Sequence, residues 1–261
     1  MQQPEHEQPP GIENRRPAKG VWEFWPTVGL GAAIFAIYLV VQLIVVVAFL
    51  IYHVAASGLP DPMQLTESLI TNGLMLSLAT ILGGAAGVGF IILFVKIRKG
   101  PSVSEYLRLV PIKKSTTVIL LGVTAGLLAI FSLTDRFFPD STNMDFMINF
   151  YDSSLSPILL FIAVVIFAPA FEEGFFRGFL FPGFSKSRLG PIGTIALTSF
   201  LWAILHIQYD IYGIASILIL GIVLGIVRLK TSSLWGPLLI HAAWNLVAMI
   251  GLALQVSGIG T

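Results

Sequence analysis

The stretch ILLFIAVVIFAPAFEEGFFRGFLF, Ile158–Phe181, decides the fold. It is apolar and long enough to cross a bilayer as a helix, which takes about 20 residues. Yet it carries Glu172, Glu173 and Arg177 in its interior. Ionisable groups inside a membrane are costly, and they mark pathways, partners or chemistry by default. Two things then matter: whether other segments also cross, and whether they bring polar groups that can meet these three.

Working outward, the whole chain is of the same kind. It is 56% hydrophobic and 11% charged, with a mean hydropathy of +0.87, which excludes an ordinary soluble domain. The net charge of +1 and the lack of a wide basic tract exclude a nucleic-acid partner. With no cysteine, there is neither a disulfide framework nor a thiolate metal site. Residues 1–20 are rich in Pro, Glu, Gln and Arg, with no apolar core, and read as a disordered cytoplasmic tail rather than a signal peptide. Trp22-Glu23-Phe24-Trp25 follows as an interfacial anchor.

Apolar segments fall at about 27–55, 68–95, 117–134, 155–181, 191–207, 211–227 and 233–256. None alternates with period 2, so a membrane barrel is excluded. The expected fold is all-α, a polytopic membrane bundle of about seven transmembrane helices with its N-terminus cytoplasmic. Basic residues support that orientation. Arg15, Arg16 and Lys19, then Lys96, Arg98, Lys99, Arg108, Lys113 and Lys114, then Arg177, Lys186, Arg188, Arg228 and Lys230 all fall on the inner side, and Arg136 alone falls outside. Acidic residues Asp61, Glu67, Asp135, Asp140, Asp145, Asp152 and Asp210 lie in the expected outer loops. Residues 21–134 read as peripheral helices 1–3 with a basic inner loop, including a short interfacial helix near Val103–Leu109. Residues 155–256 read as a compact core with tight connections. Membrane lipids are the expected surroundings, and a bacterial plasma membrane is the expected location.

The polar groups of that core are few. Glu173 and Arg177 are i,i+4 neighbours and can pair on one face of a helix. Glu172, turned by about 100° from Glu173, cannot face the same point and is left for chemistry. Pro169 removes a backbone hydrogen bond to residue 165, so a local kink is expected. His206 ends the fifth segment, and His241 and Asn245 share one face of the seventh. Each alone reads as an interfacial histidine or interhelical glue. Together they supply the parts for water activation. Glu172 and His206 can polarise a water, and His241 and Asn245 can donate to an oxyanion. A zinc version, with Glu172, His206 and His241 as ligands and an open water position, is equally writable. No organic cofactor is called for. The sequence has no His-Glu-x-x-His and no Gly-x-Ser-x-Gly, so the familiar soluble metalloprotease and serine-hydrolase patterns are absent.

These residues resemble the CPBP intramembrane proteases, the CAAX-processing and bacteriocin-processing family also called Abi. Its motifs are Glu-Glu-x-x-x-Arg, Phe-x-x-x-His and His-x-x-x-Asn/Asp. Here they read Glu172-Glu173-Gly-Phe-Phe-Arg177, Trp202-Ala-Ile-Leu-His206 and His241-Ala-Ala-Trp-Asn245. The similarity covers roughly residues 155–250 and departs at Trp202, where the pattern has Phe. It implies an intramembrane (metallo)endopeptidase acting on membrane-associated or lipid-modified peptides. In that family the first Glu and first His activate water, and the second His and the Asn stabilise the oxyanion. Non-proteolytic regulators and bacteriocin self-immunity proteins also occur among its members. From the residues alone, an ion- or proton-coupled transporter is a further alternative.

Depth along the helices poses a test. From the inner ends of their segments, His206 lies at about 22 Å, Glu172 at about 15 Å and His241 at about 11 Å, taking 1.5 Å per residue. The site exists only if tilt or a deeper start to the fifth segment brings them level.

Overall fold

The computed structural model describes residues 20–258, apart from 59–60, 64, 66–68, 70, 136–144 and 155. The expected tail before Gly20 and the outer Arg136 lie outside them. The described residues form helices and no strand. In chain order these are α1 (Phe24–Ser57), α2 (Gly73–Ile97), α3 (Val103–Leu107), α4 (Lys114–Asp135) and α5 (Asp145–Asp152), followed by a composite helix α6 (Pro157–Ser185), then α7 (Gly190–Ile204), α8 (Ile211–Thr231) and α9 (Trp235–Val256).

Six of these (α1, α2, α4, α6, α8 and α9) are long and apolar enough to cross a membrane. This is a multi-pass helix bundle, as the apolar runs require. The fifth segment is different: α7 has 15 residues, about 22 Å of helix against a hydrocarbon core near 30 Å. Leu205 and His206 already lie in turn structure after it.

Local signals fix the ends. Asn72 caps α2 by accepting from the Met75 N–H at 2.9 Å, and Asp210 caps α8 by accepting from the Gly213 N–H at 2.8 Å. Ser102 and Glu105 form a reciprocal capping box on α3, which ends at Arg108 with φ 60°. The expected interfacial helix thus stops at Leu107.

In lipid the hydrophobic effect does not drive helix against helix, so close packing and interhelical hydrogen bonds must do it. α1 and α4 bury little of their surface, whereas α2, α6 and α8 are the most buried. Small residues set the contacts. A methyl at Gly87 of α2 would lie 2.3 Å from the Phe171 ring of α6, and one at Gly225 of α8 would lie 2.9 Å from Ile195 of α7. The Phe171 ring also stacks on Tyr38 of α1, with centroids 4.1 Å apart and nearly parallel. Trp22, in the expected interfacial anchor, donates from its indole to the Phe94 carbonyl, and Arg98 lies over its ring.

The start of α9 is drawn into the bundle. Ser233 and Leu234 are buried. The Ser233 hydroxyl donates to the Val110 carbonyl, the Leu234 N–H donates to the Arg108 carbonyl, and Arg108 Nε donates to the Ser232 carbonyl. The basic loop is therefore a bracket that sets where α9 begins.

Candidate active site

α6 carries the two carboxylates, and its backbone is irregular on both sides of them. Ala163–Phe167 and Gly174–Leu180 are π-helical, a form that recurs as single turns at functional positions. Pro169 explains the first. It has no N–H to give, and its ring crowds the preceding turn. The chain responds by widening, with the Ala168 N–H donating to Ala163 O instead of to Val164 O. Where the sequence predicts a kink, the structure has a π turn. Val164 O then loses its α partner to the wide turn, and its π partner would be the missing N–H of Pro169. The Asn245 Nδ2 amide fills that place at 2.9 Å, tying α9 to α6.

Glu173 is fully buried. Its Oε1 accepts from Arg177 Nη1 at 3.0 Å and from His241 Nδ1 at 2.9 Å. Arg177 is equally buried. Its Nη2 donates to the Gly221 carbonyl of α8 at 3.0 Å, and its guanidinium lies over the Trp202 ring, 5.0 Å from the centroid. Arg228 of α8 donates in turn to the Arg177 carbonyl. The expected i,i+4 pair is present, and it reaches further than the sequence suggests, because it also holds α8 and the imidazole of α9.

Glu172 points elsewhere, with a fifth of its side chain exposed. Its Oε2 accepts a hydrogen bond from Trp202 Nε1, and His241 Nε2 stands 3.9 Å from the same oxygen. Trp202 touches each remaining part of the site. Its ring meets the His206 and His241 rings edge to face, with centroids 5.2 Å and 5.1 Å away. Its carbonyl bonds His206 Nδ1 at 2.8 Å. The Tyr209 ring stacks beside His206. Burial first, and the Glu172 charge second, push the Tyr209 phenol up to about 12.

The partners fix the imidazole tautomers. A carboxylate and a carbonyl can only accept. His241 therefore carries its proton on Nδ1 towards Glu173, and His206 carries its own on Nδ1 towards Trp202 O. In the neutral form both Nε2 atoms are acceptors, so His241 has no Nε2 proton for the expected oxyanion role, and its lone pair faces Glu172 Oε2 instead. Orientation of an imidazole by a second group is how bases and ligands alike are prepared.

The depth mismatch narrows at Trp202, while His206, past the end of α7, reaches the cluster through Trp202. α6 continues to Ser185, so Glu172 lies thirteen residues from its end, about 20 Å by the helical rise. Trp202 lies twelve residues into α7, about 18 Å. The two are level, and the bracketed start of α9 brings His241 to them.

Glu172, Glu173, Arg177, Trp202 and His241 form one cluster, with His206 joined through Trp202. Asn245 joins through its bond to Val164 O. As for a metal, no group of three or more His, Asp or Glu side chains among the described residues is arranged to hold an ion. Glu173 already spans two donors, and of the expected ligands Glu172, His206 and His241 only Glu172 and His241 come together, as a pair. The residue whose part the sequence leaves unassigned is Trp202, which there marks only a departure from the family pattern. A buried indole N–H needs an acceptor, and few carboxylates were available to serve as one.

Residues 154–247 match the family model described as type II CAAX prenyl endopeptidase, Rce1-like. That span contains all three motifs and bears out the resemblance to the CAAX-processing proteases. No curated protein and no solved structure matches the chain.

Proposed function

Starting from that family match over residues 154–247, we propose that the protein is an intramembrane endopeptidase that uses Glu172 to activate water. The observation that carries this reading is the division of labour between adjacent carboxylates. Glu173 is buried and committed to Arg177 and His241, while Glu172 is partly exposed and faces the His241 Nε2 lone pair.

A water beside Glu172 Oε2 and His241 Nε2 gives its proton to the carboxylate as its oxygen attacks the peptide carbonyl carbon. The tetrahedral oxyanion collapses, the C–N bond breaks, and Glu172 returns the proton to the leaving amine. His206, held by Trp202 O, presents its own Nε2 as the second polarising group. Glu173 keeps His241 in the required tautomer, as a buried carboxylate does for the histidine of a triad. Asn245 positions α9, and its second amide N–H is the donor an oxyanion role would use.

The substrate class follows from the setting. Glu172 lies deep within the bundle, about 20 Å from the end of α6. That depth, together with a family described as prenyl endopeptidases, supports membrane-associated or lipid-modified peptides as substrates. A plasma membrane with the N-terminus inside is the location that fits the basic loops. The test is cleavage of a reporter peptide carrying a prenylated C-terminal Cys-a-a-X sequence beside its unmodified counterpart, by purified protein in lipid vesicles, with and without chelator. Preference for the lipidated peptide supports the reading, and lack of cleavage of either peptide in both conditions would refute it. Loss of activity on chelation that divalent zinc restores would show that metal takes part.

A further inference from the structure

A cavity of about 760 Å³ opens between α4 and α8, away from the carboxylate cluster's own residues. It has two chemically distinct parts. Lys113, Thr116, Lys230 and Thr231 line one end. Ile119, Val123, Val223 and Ile226 line the length below, and no acidic residue lines it anywhere. Thr116–Val123 on one wall and Val223–Lys230 on the other each span seven residues, so the groove runs roughly 10 Å along both helices. α4 and α8 each pack on α9, and the cleft lies where they part.

Among the described residues, the charges around the polar end all have one sign or are already used. Lys114 adjoins Lys113 in the chain. Arg228 lies near Arg108 and donates to the Arg177 carbonyl. Arg108 Nε donates to Ser232 O. The nearest carboxylate in the loop, Glu105, accepts from Ser102 within its capping box. Lys113 and Lys230 are exposed. They sit at the membrane-border end of an apolar slot whose volume is in the range of small-molecule sites, about 300–1,000 Å³.

We propose that this groove is a binding site for one anionic phospholipid, with its phosphate between Lys113 and Lys230 and an acyl chain along Ile119, Val123, Val223 and Ile226. Basic pockets between transmembrane helices hold anionic headgroups in this way. A zwitterionic lipid offers the same chain, but its quaternary ammonium would enter a region already carrying two or more uncompensated cations. The site lies against the loop that brackets the start of α9, so its occupant rests on the element that sets His241. The inference stands on the groove and its lysines and is independent of the proteolytic reading.

Native mass spectrometry of the full chain in detergent tests it, with phosphatidylglycerol and phosphatidylcholine added in turn. The wild type is expected to retain one phosphatidylglycerol at concentrations where phosphatidylcholine leaves no adduct. The K113Q/K230Q variant should lose that preference by about thirtyfold, the equivalent of roughly 2 kcal/mol for two lysines. V123W/I226W, which fills the slot and leaves the lysines in place, should lose the retained lipid. K96Q/K99Q changes two exposed lysines on the same side that do not line the groove, and should behave as wild type. Equal retention of both lipids, or an equal loss in K96Q/K99Q, would overturn the proposal. Cleavage assays do not enter, so its failure leaves the active-site reading untouched.

Discussion

Glu173→Gln separates structure from chemistry within the paired carboxylates. The substitution keeps the shape of the side chain and one acceptor oxygen but removes the charge. Arg177 is left fully buried with one hydrogen bond to Gly221 O and the faces of Trp202 and Phe176. Its cation then has no counter-charge on the same face of the helix. Removing one partner of a buried pair costs about 3–5 kcal/mol, because the other charge stays behind in a poorly polarisable site. The remaining amide oxygen offsets part of this, so a loss of about 3 kcal/mol is expected. Replacing both groups by neutral ones of similar volume is far less costly, and E173Q/R177M should recover most of the loss. Reversible unfolding by SDS in mixed micelles, followed by tryptophan fluorescence, measures each term of the cycle. A single-variant cost below about 0.5 kcal/mol, or a double variant that sums the two single losses, would refute the assignment of Glu173 to the ion pair.

Three further outcomes follow from the same geometry. Trp202→Phe keeps the ring between the two imidazoles and removes the N–H to Glu172. A hydrogen bond to a charged group contributes about 1.5–3 kcal/mol, so kcat should fall about tenfold or more with little change in KM. The indole Nε1 resonance missing from this variant's NMR spectrum should be the one that moves in E172Q. Gly87→Ala drives a methyl to 2.3 Å from a Phe171 ring that is already stacked on Tyr38. Overpacking of that kind costs about 1–3 kcal/mol, which SDS unfolding reads directly. The Tyr209 phenol, raised to about 12 by burial and by Glu172, contributes stability that is fully present below its unfolded value near 10. That contribution is lost as pH rises through 12. Tyr209→Phe should therefore flatten the alkaline loss of stability between pH 10 and 12, and an unchanged slope would remove Tyr209 from the site's surroundings.

Much of this was legible in the sequence, for physical reasons that differ from residue to residue. The membrane helices announced themselves because a run such as Phe24–Ser57 has no other stable setting. The Glu173–Arg177 pair followed from helical spacing alone. The helix near Val103 was equally local. The rest depends on tertiary contacts that no spacing reports. Nothing in His241-Ala-Ala-Trp-Asn245 says that Nδ1 will meet Glu173 while the Asn amide repairs a carbonyl orphaned by Pro169. The π turns are likewise invisible to a 3.6-residue period, although Pro169 marks the place. The fifth segment was read as reaching residue 207, whereas α7 ends at Ile204. Placing His206 in a turn frees it from helical register, so its ring is aimed by Trp202 instead.

The account rests on Glu172 as the group that takes and returns the proton. A positioned acid–base group contributes about 10²–10⁴-fold, and Glu172 is held by a single indole and lies partly exposed. The direct measurement is cleavage of the lipidated reporter by purified wild type and E172Q, with SDS unfolding of both run in parallel. E172Q should lose at least a hundredfold in kcat while its unfolding stability stays within about 1 kcal/mol of wild type. Cleavage at the wild-type rate by a folded E172Q protein would contradict that role for Glu172.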